Sequence, residues 1–61
     1  MKSITLFENG NGWMAKFEND PEIVALFGTD TIPTAFTSNA YASEVLEAII
    51  LQNPGYDVVI G

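Results

Sequence analysis

Cysteine and histidine are both missing from the chain, and lysine and arginine together number only two. Without cysteine no disulfide can form, and without cysteine or histidine a structural zinc site lacks its preferred ligand types. The same absences remove the most adaptable nucleophile and the most adaptable general base. Carboxylates, hydroxyls, Tyr41, Tyr56, Lys2 and Lys16 are left as groups for chemistry. A long apolar run is missing too. The longest candidate, Val45 to Leu51, is interrupted by Glu47, well short of the roughly 18–20 residues needed to span a bilayer. The N-terminal stretch Met1-Lys2-Ser3-Ile4-Thr5-Leu6-Phe7 reaches Glu8-Asn9-Gly10 before an apolar run develops. No signal peptide is expected, and the cytoplasm is the expected location.

What is there is 61 residues, enough for one domain over 1–61 and no second. A chain of this size buries only roughly 60% of the surface it exposes when unfolded, so its core needs a supplement. With disulfides and zinc excluded, association is the supplement expected. Hydrophobic residues make up 48% of the chain, more than so small a core can hide, so apolar surface is expected to meet a copy of the chain or another protein. Eight acidic residues against two basic ones give a net charge of −6. That field repels phosphate backbones and anionic lipid, which argues against nucleic-acid binding by this chain alone and against a membrane partner. Its complement is a basic protein surface or a cation; the charge also serves solubility alone.

Asn9-Gly10-Asn11-Gly12 separates two β-prone runs, and both residue types tolerate the positive φ of tight hairpin turns. An antiparallel hairpin over residues 3–8 and 12–18 follows, with Trp13, Ala15, Phe17, Ile4 and Leu6 facing inward. Phe7 falls on the opposite parity, beside Met14, as an outer apolar patch. Glu18-Asn19-Asp20-Pro21 reads as a turn. The β-branched start of residues 22–27, between Pro21 and Gly28, favours a third strand, with a single helical turn as the alternative. Residues 28–37 read as an ordered loop or edge segment anchored by Ile32 and Phe36, because Pro33 holds Ile32 extended and removes a donor. A helix is expected from Thr37 or Ser38 to about Gln52. Its buried stripe is Ala42, Val45, Leu46, Ile49 and Ile50, widened by Leu51, with Ser43, Glu44 and Glu47 turned away. Asn53-Pro54-Gly55 ends it, and Tyr56 to Ile60 alternate as a last strand with Tyr56, Val58 and Ile60 on one face. The predicted fold class is α+β, in the order β-β-β-α-β, a mostly antiparallel sheet with one amphipathic helix packed on one face.

Each candidate site has a plain structural counterpart. Glu18, Asp20 and Glu22 alternate around Pro21 like a carboxylate pair or cation ligands, yet lack the register of a calcium loop and read as a solvated acidic turn. The Asn-Gly repeat is followed by a strand, not by the helix a phosphate loop requires. Thr29, Thr31, Thr34 and Thr37 put hydroxyls along one segment, as extended loops often do. Trp13 fits either an interface anchor or the centre of the core. Lys16, on the outer face of the hairpin, reads as edge protection or a solubilising charge rather than a catalytic group. No catalytic residue, metal ligand or cofactor site is assigned. Phe7, Met14, Trp13, Ile32 and Phe36 are the candidate interface residues.

The run Gly12-Trp13-Met14-Ala15-Lys16-Phe17, then Asp20-Pro21, then Gly28-Thr29-Asp30-Thr31 and an amphipathic helix resembles the N-terminal domain of HicB-type antitoxins. The likeness covers residues 3–60. In that family an aromatic-rich hairpin leads to a third strand, a Gly-Asp-Thr-like turn and a helix. Here Ile32-Pro33-Thr34-Ala35-Phe36 intervenes before the helix, and the sequence stops at Gly61 where full-length members usually continue into a DNA-binding region. The resemblance implies a protein-binding half without an operator-binding half. A non-enzymatic protein-interaction module is therefore the leading expectation. A homo-oligomer with a structural or small-ligand role, pairing through a strand edge or the Phe7/Met14 face, is the alternative. A carboxylate-based metal-dependent enzyme comes last.

Overall fold

The computed structural model describes residues 2–61; Met1, the first residue of the stretch read for a signal peptide, lies outside them. The hairpin forms as the Asn-Gly repeat requires. β1 (Ser3–Glu8) and β2 (Trp13–Glu18) pair antiparallel, Leu6 opposite Ala15 and Phe7 opposite Met14. Gly12 sits at φ +144°, and a Cβ there would come within 3.0 Å of the Phe36 carbonyl oxygen. Only glycine allows the turn and the loop to approach so closely.

Residues 22–27 are not a strand. They belong to helix α1 (Pro21–Phe27), the alternative left open by their sequence. Asp20 caps it by accepting from the Ile23 amide, Pro21 takes the first turn where no donor is needed, and Gly28 closes it at φ +75° by donating to Val24 O. The two residues expected to bound a strand are instead the start and stop of a helix. The third strand follows it, as the short edge strand β3 (Thr31–Pro33), which pairs antiparallel with β2.

Helix α2 (Ala42–Gln52) begins later than Thr37 or Ser38. The intervening chain is held by Trp13 instead. Thr34 N and Oγ1 donate to Trp13 O at 2.9 and 2.8 Å, Trp13 N donates to Phe36 O at 3.1 Å, and the Trp13 indole donates to Ala40 O at 3.2 Å. Those bonds fix residues 34–40 as a wrap around the indole, so helical geometry starts only beyond it. After α2 the chain returns as β4 (Asp57–Ile60), parallel to β1.

The sheet is mixed, in the order β3-β2-β1-β4, with β3 and β4 at its edges and two antiparallel pairings to one parallel. Ile4, Leu6, Trp13, Ala15 and Phe17 line its inner face, and Val45 and Ile49 of α2 close over them. Burying Ile4, Leu6 and Val45 fully stabilises the fold by about 1.5–3 kcal/mol each. The stripe on α2 is narrower than its sequence spacing implies. Leu46 is half-buried, but Ala42 in the first turn, Ile50 and Leu51 are exposed, because one short helix meets the sheet only along the Val45–Ile49 line. Of the three residues expected on one face of this strand, Tyr56 and Val58 pack against the core, and Ile60, at the strand's end, is 42% exposed.

Candidate functional site

Of the carboxylates around Pro21, Asp20 and Glu22 each lie 3.9 Å from Lys2 Nζ, and Glu18 stands apart. Glu18 points to solvent and accepts from Ser3 Oγ at 3.0 Å, and Glu22 is exposed. Asp20 alone turns inward, where it caps α1, accepts from the Tyr56 hydroxyl and lies 3.9 Å from Lys2 Nζ. The Tyr56 hydrogen bond, reinforced by the Ile23 amide and by Lys2, holds the Asp20 carboxyl below its ordinary value against the opposing effect of burial. The same bond, with burial and the neighbouring carboxylates, raises the Tyr56 hydroxyl. Tyr56 also stands edge-on to Phe17, its ring centroid 5.8 Å away, with Lys2 Nζ 5.8 Å from its own centroid. These contacts tie the start of α1 to the entry of β4. No group of three or more acidic side chains able to hold a metal occurs among the described residues.

The five candidate interface residues do not share one surface. Trp13 is in the core, its indole donor occupied by Ala40 O. Phe7 and Met14 stand side by side on the other face of the sheet, half-buried, with Pro33 next in register. Ile32 and Phe36, also half-buried, belong to a third place: a groove of about 310 Å³ between β3, the segment 33–36 and the end of α2. Ala15 and Phe17 floor it, Ile49 walls it, and Gln52 and Asn53 stand at its rim. The small Ala15 side chain, opposite Ile32, leaves the space.

The most exposed apolar side chains lie elsewhere. α1 fully buries none of its residues: Ile23 packs partly on the core, Leu26 and Phe27 are 77% and 57% exposed, and Val24, one turn before Phe27, is exposed too. Leu51, Ile50, Val59 and Ile60 add apolar surface on α2 and β4. The signal for α1 was present in Asp20-Pro21 and Gly28, since a seven-residue helix with one docked residue must show the rest of its apolar side chains to solvent. No helix among the described residues is long and apolar enough to cross a membrane. Comparison with protein-family models, with curated proteins and with solved structures finds no match to the chain.

Proposed function

We propose that the chain is a non-enzymatic protein-interaction module and that α1 is its contact helix. The observation that carries this reading is that α1 docks through Ile23 alone and presents Val24, Leu26 and Phe27 to solvent. So short a helix is not stable by its own propensity; Asp20, Pro21 and Gly28 hold it in place, and the large apolar side chains gain most from a partner's cover. The net charge of −6 favours a partner with a basic rim around an apolar site. In the antitoxin-like form of this reading that partner is a small basic toxin-like protein, and a coding sequence for one beside the chain's own would support it. No residue is catalytic in this reading and no cofactor is required.

The test is affinity capture with the full chain and with a Leu26→Glu, Phe27→Ser variant, both changes lying on exposed positions that leave the core intact. A basic protein recovered in stoichiometric amount with the native chain and lost with the variant is the expected result. Recovery of the same protein by both would refute α1 as the contact.

A second reading, small-ligand binding, is favoured by the groove lined by Ile32, Phe36 and Ile49. Its volume is at the lower end for small-molecule sites, and its lining is apolar with an amide rim and no charge. An uncharged, largely apolar ligand is the fitting class. Chemical-shift changes confined to these residues on titration with such a compound would support it, and a flat response would count against it.

A further inference from the structure

We propose that the free edge of β4 is a self-pairing surface, through which two copies of the chain join their sheets antiparallel about a two-fold axis. This surface lies on a different element from α1. The two edges of the sheet are unlike. β3 is three residues long and carries Pro33, both features by which natural sheets block the addition of a further strand. β4 has neither proline nor lysine, and its single charge, Asp57, is at its first position.

The inner side of β4 is tied to β1: Asp57 N donates to Lys2 O at 3.0 Å and Gly61 N to Leu6 O at 2.8 Å. Peptide groups alternate along a strand, so the amides and carbonyls of Val58 and Ile60 point the other way, off the sheet. Side chains at this edge are apolar on both faces, with Val59 and Ile60 43% and 42% exposed. α2 extends the apolar margin. Its flank with Glu44, Ala48 and Leu51 lies beside Phe36, toward β3, so the opposite flank, with Leu46 and exposed Ile50, faces the β4 side.

A second copy fits the edge by register, and the one charge on the strand stays away from the centre of the seam. Centring the pairing on Val59 opposite Val59 sets Val58 against Ile60 in both directions, and each outward amide and carbonyl of the strand gains a partner. Asp57 then lies opposite Gly61, which has no side chain, and the two Asp57 carboxylates sit at opposite ends of the seam. Both α2 helices stay on one side of the joined sheet, where Ile50 and Ile60 of each copy cover the junction. A basic partner has little to grip here, since seven of the eight acidic residues lie outside β4.

Sedimentation equilibrium of the purified full chain, from about 10 µM to about 1 mM, reads the pairing directly by mass action. The mass is expected to rise from 6.6 kDa toward twice that value. Amide exchange at Val58 and Ile60 should slow over the same range. Val59→Lys, which sets two ammonium groups face to face, should hold the chain at monomer mass. Ile60→Pro should do the same, because it removes an outward donor and leaves the bonds to β1. Far-UV circular dichroism and Trp13 emission report that both variants fold. A native chain at monomer mass throughout the range overturns the proposal. So does a dimer that survives in folded Val59→Lys, or one lost in Phe7→Ser with Val59→Lys unaffected.

Discussion

Asp20 is the residue whose loss should be felt furthest, because it holds α1, Tyr56 and Lys2 at once. Its carboxyl titrates below the ordinary value in the folded chain. The stability it contributes is therefore complete above the unfolded carboxylate value, about 4, and is lost as pH falls through the depressed folded value. Tyr56 runs the other way. Its raised hydroxyl contributes stability below about pH 10 that is lost as pH rises through the folded value. Thermal melts of the native chain should show a falling Tm below about pH 4, and Asp20→Asn should lower Tm at neutral pH while flattening that acid limb. An acid limb unchanged in the variant would remove Asp20 from the explanation. At Gly28 the issue is backbone conformation alone, since nothing lies within 4 Å of a Cβ built there while φ is +75°. Gly28→Ala should cost about 1–2 kcal/mol, or roughly 4–8 °C in Tm per kcal/mol for a domain of this size. A Tm equal to that of the native chain would show that the cap is dispensable.

At the scale of elements, the parts fixed by local chemistry were legible and the parts fixed by tertiary contacts were not. The Asn-Gly turn and the parity of Trp13, Ala15 and Phe17 specify the hairpin and its inner face, and both are as expected. In residues 22–27 two local signals conflict. Ile23 and Val24 favour extended backbone, whereas Asp20-Pro21 and Gly28 are a helix's start and stop, and the caps prevail because they satisfy otherwise unpaired amides and carbonyls. The start of α2 could not be read locally at all. Thr37 and Ser38 look like caps, but Ala40 O is taken by an indole 27 positions earlier in the chain, a bond that no window of neighbouring sequence contains. The same limit applies to the candidate site. Ile32 and Phe36 were identified as anchors and do meet in the groove, yet its floor and wall come from β2 and α2. The apolar surface of α1 was hidden by the strand reading, in which those side chains alternate between a buried and an open face.

For the whole molecule, composition and structure point the same way. Among the described residues, seven apolar ones form the buried core and eight large ones remain exposed. The buried set is small for a chain without a disulfide, and five of the exposed set lie on α1 and β4, with Tyr41, Ile50 and Leu51 at the start and end of α2. Such a domain is stabilised by whatever binds its folded form alone. This exposed apolar surface is the feature on which the proposed association rests. The most direct single measurement is Tm against chain concentration over about two decades, followed by Trp13 emission, because a self-pairing domain gains stability by mass action. We expect Tm to rise with concentration in the native chain and to stay flat in Val59→Lys; a native Tm that is independent of concentration would contradict self-association as the supplement to the core.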